Sequence, residues 1–368
     1  MTIEFTLPAD LEAHDPPEAR GTPRDRVRML VSRATTGQLG HHRFDELPGL
    51  LRPGDLIVVN TSGTLPAAVP AVRGTAAAPG GPALSGPELS GPELAGAELA
   101  GAELAVHFSG PRPDGAWLVE LRAIRGPATV PHPGGTPREV IKLPGGAELT
   151  LERRVTGRLW QARLSTAVVP YLLRHGVPIR YSYVRQDWPL AAYQTVFATR
   201  PGSAEMPSAS RPFTPEVVTR LVAQGITFAP LTLDTGVSSL EGDEEPYPEP
   251  FDVPPATARL VNLTRRTGGR VIAAGTTVVR ALETAARAEP AGDGLVAAAA
   301  GWTSHVVTPE VPLLTVDGLL TGLHEPRSSH LRMLAAFADA DLLRRCYQAA
   351  VAERYLWHEF GDVHLLLP

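Results

Sequence analysis

The sequence predicts an α/β fold: a large α/β domain on a mostly parallel, barrel-like sheet, interrupted by a smaller all-β domain. Three observations carry that reading. Residues 270–287 read RVIAAGTTVVRALETAAR, an apolar strand, a Gly-Thr-Thr turn and a helix that opens at once on an apolar stripe. After about Pro170, apolar strand-like runs alternate with helical ones, the pattern that lays a parallel sheet under crossover helices. Between Leu104 and Ala167 the pattern is instead short β segments separated by Gly/Pro turns.

The elements follow in chain order. With 368 residues and 43% hydrophobic content the chain is long enough to bury a large core without covalent staples. Its first sixty residues alternate short strands with Pro-rich connections and end in DLIVVN, an apolar strand entered through the turn Pro53-Gly54. From Gly81 to Ala105 a unit repeats as GPALS, GPELS, GPELA, GAELA, GAELA. One leucine per unit, punctuated by glycine and proline, sustains neither a helical nor a strand stripe, so residues 75–103 are expected to be a low-complexity surface loop outside the chemistry. LAVHFSG, AWLVELRAI, REVIKLPGG, AELTLERRV and GRLWQARL then read as strands of a small barrel or sandwich. The expected domains are therefore 1–65 with 168–368, and an insert of 66–167. In TPEVVTRLVAQG, Thr214 is placed to cap a helix, Pro215 to open it and Gly225 to stop it. ITFAPLTLDTG follows as a strand, and LEGDEEPYPEPFDVPP reads as a loop too polar for the core.

Charge and cysteine usage narrow the partners. Lys142 is the only lysine and the net charge is −5, so nothing attracts nucleic acid globally; phosphate contacts would need a patch such as Arg265, Arg266 and Arg270, or Arg344 with Arg345. Cys346 has no disulfide partner and reads as a buried structural thiol. His41-His42 has the wrong spacing for a helix-borne metal pair and the other histidines are scattered, so no metal is expected. No apolar run approaches membrane-spanning length and no leader pattern opens the chain, which predicts a cytoplasmic protein without a membrane partner.

The strand-turn-helix unit is the strongest local signal for a site. A strand turning through Gly275 into a helix leaves the first helical N–H groups without intrahelical acceptors, a spot that attracts carboxylate or phosphate. Thr276 or Thr277 is placed to cap the helix or reach a ligand. Val278, Leu282 and Ala285 recur at helical spacing and form the packed face, with Arg280 and Glu283 elsewhere on the cylinder.

GTTVVRALETAA, VDGLLTGLHEPRSSHLRMLAAFA and ERYLWHEFGDVHLL, together with FTLPADLEAHDPPEAR, LRPGDLIVVN and AAYQTVFATRPGS, resemble in order the S-adenosylmethionine:tRNA ribosyltransferase-isomerase family of the queuosine pathway. The resemblance implies a β-barrel inserted into a larger α/β domain. It also implies S-adenosylmethionine as a co-substrate that donates ribose: a base removes a proton beside the sulfonium, adenine leaves, an aminomethyl group of a deazaguanine in the tRNA anticodon attacks, and methionine departs. Such chemistry needs a base, a proton donor for adenine and an anchor for the methionine carboxylate. The matching positions are Tyr193, Gln194 and Thr195 with Gly202 and Ser203, then Asn60, then Gly275, Thr276, Thr277 and Arg280, then His324 with Ser328. Tyr193, Asp234 and His324 are the catalytic candidates, and the rest are expected to bind the co-substrate.

Departures from the family pattern fall on its most polar motifs. An Asn-Asp-Thr-Arg run is here Asn60-Thr61-Ser62-Gly63, losing an acid and a guanidinium. A motif histidine is Pro212, and a second, at a strand end, is Asp234, the candidate replacement base, with Glu205 or Arg211 as candidate acceptor contacts. The segment that follows Asp234 departs too, at Ser238, Ser239, Leu240 and Glu241. The expected activity is accordingly an S-adenosylmethionine-dependent transferase-isomerase with a changed, small-molecule or internal acceptor. The alternatives are the orthodox reaction on the tRNA anticodon and a non-catalytic binding protein.

Overall fold

The structure is a computed structural model that describes residues 5–73, 104–125, 128–237, 247–288, 295–325 and 329–368. They form two compact units. The larger takes in the described residues of Met1–Thr64, Tyr183–Gln186 and Ala191–Pro368; the smaller takes in those of Leu65–Ser182 and Asp187–Leu190.

In chain order the strands and helices begin with β1 (Arg28–Arg33), β2 (Leu39–Arg43), β3 (Leu56–Asn60) and β4 (Ser62–Thr64) of the larger unit. The smaller unit supplies β5 (Ala68–Arg73), β6 (Leu104–Pro111), β7 (Trp117–Arg125), β8 (Ala128–Pro131), β9 (Val140–Lys142), β10 (Glu148–Arg154), β11 (Leu159–Leu164) and α1 (Val168–His175). The larger unit resumes with β12 (Arg200–Ser203), α2 (Pro215–Ala223), β13 (Thr227–Leu233), β14 (Glu249–Val253), α3 (Pro255–Arg266), β15 (Val271–Ala274) and α4 (Thr276–Arg287). It ends with β16 (Ala299–Thr303), β17 (Gly318–Gly322), α5 (Ser329–Leu334), α6 (Ala340–Ala352) and β18 (Val363–Leu367).

In the smaller unit the order β11-β10-β9-β5-β6-β7 closes through β11 pairing with β7, and β8 extends the sheet beside β7. This is a closed antiparallel barrel of six strands. Five of its strands match the segments read from sequence; the sixth, β5, lies in the Pro-containing AVPAVR, whose pattern carries no strand signal. Helix α1 packs with this unit, beyond residue 167 where the strand pattern placed its end. The pentad repeat lies outside the described residues except at its end, where Leu104 opens β6.

The larger unit is built on a sheet of order β16-β14-β13-β3-β15-β17-β18-β1-β2. Its centre, β13-β3-β15-β17, is parallel, as is the β18–β1 pair. The neighbours β16–β14, β14–β13, β17–β18 and β1–β2 are antiparallel. The α/β architecture stands, with the parallel pairing concentrated in the core where crossover helices cover both faces. Alternate residues divide between the faces: Leu56, Val58, Val271 and Ala273 join α3, α4 and α6 in one apolar layer. Ile57, Val59, Ile272 and Ala274 join α2 and the turn around Phe44 and Leu47 in the other.

Local signals account for the helices. Thr214 Oγ1 accepts from Val217 N at 3.3 Å, Pro215 opens α2, and Gly225 follows it at φ 82°. In α4, Val278, Leu282 and Ala285 are fully buried. Two expectations fail here. Gly275 itself is the N-cap and no side chain caps the helix, so neither Thr276 nor Thr277 has that role. Glu283 lies on the buried face, where its carboxylate accepts from Leu314 N, Thr315 N and Val316 N at 2.9, 3.0 and 3.1 Å and pairs with Arg287. The acidic stretch after Leu240 fails as a loop too: its described second half is β14, and Glu249 is buried.

Candidate functional site

Because β13, β3, β15 and β17 run parallel, their carboxyl ends gather at one edge of the sheet, the usual place for a ligand in an α/β fold. Asn60, the last residue of β3, ties this edge together. Its Oδ1 accepts from Ser62 N at 3.0 Å and Leu233 N at 3.1 Å, and its Nδ2 donates to Leu233 O at 2.8 Å and Thr277 Oγ1 at 3.3 Å. One fully buried amide therefore fixes the ends of β3 and β13 against the first turn of α4. Gly275, between β15 and α4, has φ 107°, a conformation that a side chain would strain.

A second cluster grows from Asp234, the residue after β13. Ser62 Oγ donates to its Oδ1 at 2.7 Å, Ser203 Oγ donates to Ser62 Oγ at 2.7 Å, and Thr235 N donates to Ser203 Oγ at 3.0 Å. Arg200 Nη2 stands 3.4 Å from Asp234 Oδ2. The short parallel pair β12–β4 sets Arg200 opposite Ser62 and Pro201 opposite Gly63. A Cβ at Gly202 would overlap the Asp234 carboxylate, so glycine is what lets the strand pass.

The YQT segment lies beside it. Tyr193 is buried with its ring 5.1 Å from that of Phe360, and its carbonyl accepts from Thr64 Oγ1 at 2.7 Å. Gln194 spends its amide on the backbone of Thr64, donating at 2.9 Å and accepting at 3.0 Å. Thr195 Oγ1 accepts from Phe197 N at 3.3 Å. These polar groups are used to position the segment. Arg280 is likewise committed: it pairs with Glu249 and donates to His305 O at 3.1 Å, tying α4 to β14 and the segment after β16. Arg211 is buried, donates to Ala192 O at 2.8 Å and Glu18 Oε2 at 2.9 Å, and lies over the Phe360 ring.

His324 follows β17. Its ring stacks on that of His330 at 3.8 Å, and Thr321 Oγ1 lies 3.4 Å from its Nε2. Burial, reinforced by the neighbouring His330 and His358, holds His324 well below the usual imidazole range, and burial pushes His330 down to about 4. Both rings are neutral at pH 7. The turn Ser208–Ser210 links the two parts of the edge: Ser210 Oγ lies 3.4 Å from Ala274 O, and a Cβ on Gly322 would meet both His324 Nε2 and Ser208 Oγ at 3.6 and 3.9 Å. Ser328 lies outside the described residues, as do Ser238, Ser239, Leu240 and Glu241.

Sequence reading missed Glu359. Burial pushes its carboxyl up to about 8, helped by the charge of Glu205 and opposed by Arg211, and its Oε1 is shielded without a hydrogen-bond partner. A carboxyl that keeps its proton at neutral pH can serve as a general acid. The signal was present as a Glu inside the otherwise apolar and aromatic run LWHEFGD, which reads first as scaffold. Of the expected arginine patches, Arg270 pairs with the buried Asp55 at 2.5 Å, and Arg344 and Arg345 both pair with Asp341. Cys346 is buried, which pushes its thiol up to about 11. Among the described residues no helix is long and apolar enough to cross a membrane.

Known proteins give this geometry its context. A family model described as "Queuosine biosynthesis protein" matches residues 1–366. The S-adenosylmethionine:tRNA ribosyltransferase-isomerase of Thermus thermophilus is 34% identical over 377 residues, covering 97% of this chain and 99% of its own. That of Moorella thermoacetica is 34% identical over 394 residues, covering 99% and 98%. The solved structure of the S-adenosylmethionine tRNA ribosyltransferase from Thermotoga maritima matches with a TM-score of 0.52 and 25% identity over 99% of both chains. With the match running from one end to the other, and with the inserted barrel and parallel-centred sheet in place, the chain belongs to the S-adenosylmethionine:tRNA ribosyltransferase-isomerase family of queuosine biosynthesis proteins.

Proposed function

We propose that this family member uses S-adenosylmethionine as a ribosyl donor, releasing adenine and methionine, and delivers the ribosyl group to an acceptor other than the tRNA anticodon. The observation that carries the changed acceptor is that the departures from the family pattern touch one another. Ser62, in the altered run after Asn60, donates to Asp234, which stands where the family has a histidine. Beside Gly63, where the family's guanidinium is lost, Arg200 supplies one to Asp234 from the paired strand. Decay of an unused site would scatter unrelated residues; complementary donors and acceptors within hydrogen-bond reach speak for a site that was rebuilt and still works.

In this reading the Gly275 turn and the first N–H groups of α4 hold the methionine carboxylate. Asp234 or the neutral His324 takes the proton beside the sulfonium, and Glu359, protonated at neutral pH, donates to departing adenine. The orthodox reaction on tRNA is the second reading, favoured by the full-length match to relatives that bear that name. Incubation of the purified chain with S-adenosylmethionine alone, following adenine and methionine by chromatography, separates the two. Release without RNA supports the changed acceptor. Release only after addition of preQ1-containing tRNA refutes it in favour of the second reading, and binding without release under both conditions refutes both.

A further inference from the structure

A histidine and two carboxylates converge at one side of the larger unit, on residues to which nothing above assigns a role in the transfer reaction. His358 Nε2 lies 3.7 Å from Glu12 Oε1 and 3.9 Å from Glu325 Oε1, and the three ligand-type atoms all fall within 4.8 Å of one another. The His358 side chain is only 8% exposed, and its Nε2 is shielded from solvent without a hydrogen-bond partner. A buried ring nitrogen left open in this way needs an explanation. Among the described residues, neither glutamate pairs with an arginine or with the lysine, so two negative charges face each other around one imidazole.

The backbone builds this arrangement. Glu12 and Trp357 form a parallel bridge, with Ala13 N donating to Trp357 O at 3.1 Å and Trp357 N to Leu11 O at 2.9 Å. His358 N donates to Leu323 O at 3.3 Å, which ties the third segment to the same point. His358 itself sits at φ 70°, a left-handed conformation that costs a non-glycine residue about 1 kcal/mol and persists where the surroundings enforce it. Its ring is stacked on Tyr183 at 4.1 Å and 12°, and His14 Nδ1 contacts Tyr183 O at 2.6 Å. The ring is therefore held with its nitrogen turned toward the carboxylates.

We propose that Glu12, Glu325 and His358 form a binding site for a divalent transition-metal ion of the zinc class, with three protein ligands and an open coordination position. One imidazole with two carboxylates is a donor set that suits such ions. Metal-ligand bonds of about 2.0–2.2 Å require the ligand atoms to close by only a few tenths of an ångström. Glu325, 61% exposed, has room for that movement. The three members come from distant segments, so no local spacing in the sequence signals them.

The proposal does not depend on the identity of the acceptor. The intact protein, stripped with a chelator and dialysed, is titrated with Zn2+ while bound metal is measured by emission spectroscopy and the melting temperature is followed. One Zn2+ per chain with a rise in Tm is expected, and Glu325→Gln and Glu12→Gln should each weaken binding about tenfold or more. Both substitutions remove charge from accessible positions, and circular dichroism establishes that the variants are folded. Co2+ in place of Zn2+ should give a d–d absorption band that is lost in the double variant. Absence of stoichiometric binding by the parent chain, or binding unchanged in the folded double variant, overturns the site.

Discussion

At position 202 the backbone passes so close to the Asp234 carboxylate that any Cβ would overlap it. Gly202→Ala must therefore push Asp234 off the Ser62 hydroxyl or shift β12, and overpacking of this kind costs about 1–3 kcal/mol. Urea denaturation should show the midpoint falling with an unchanged slope, together with a loss of turnover exceeding the loss of folded protein. Ser62→Ala tests the same contact from the other side. It removes a hydrogen bond to a buried charged group, and a loss of about 1–3 kcal/mol is expected. If both variants keep parental stability and rate, the contact has no consequence. The sequence placed Gly202, Ser203 and Asp234 by resemblance, but their joining through Ser62 was not legible there. Hydrogen bonds between distant segments leave no periodic trace, and the same is true of Glu359 beside Glu205 and Arg211.

Helix α4 illustrates what a single element does and does not disclose. Its apolar stripe and the glycine before it were legible because helical periodicity and a left-handed turn are local properties. Whether a charged residue on the helix is solvated is decided by other segments. Glu283 is buried because the loop at 314–316 turns three N–H groups toward it, and Arg280 is engaged because β14 brings Glu249 beneath it. β14 itself was hidden in an acidic, Pro-rich stretch whose composition reads as loop. Arg280→Ala leaves Glu249 buried without its counter-charge, and breaking such a pair costs about 3–5 kcal/mol. Adding Glu249→Leu should restore part of that loss. A cycle of the two single variants and the double variant, measured by chemical denaturation, checks the coupling; strict additivity would mean that the pair contributes nothing.

For the molecule as a whole, buried ionisable groups set how stability follows pH. His107 and His364 are each pushed down to about 3, His330 to about 4, and His305, His324 and His358 are also lowered, all chiefly by burial. The unfolded chain then binds more protons than the folded one below the ordinary value of 6.5, so acidification destabilises. Glu359 has the opposite sign. Its folded value of about 8 stands above its ordinary 4.5, so its contribution is complete below 4.5 and is lost as the pH rises toward 8. From about pH 4.5 to 6.5 six lowered histidines outnumber the raised carboxyls of Glu359, Asp317 and Asp362, and stability rises with pH. From about 6.5 to 8 the histidine contribution fades while that of Glu359 remains, so the rise should flatten and turn over above about pH 7.5, with a slope below that of a chain lacking the carboxyl by up to about 1.4 kcal/mol per pH unit. Urea denaturation of the parent and of Glu359→Gln across this range, with a chelator present so that no metal contributes, isolates the carboxyl. The variant should keep the acid limb and level off without the turnover; an identical profile in both proteins would mean that Glu359 is ionised in the folded state and that the proton donor for adenine must be sought elsewhere.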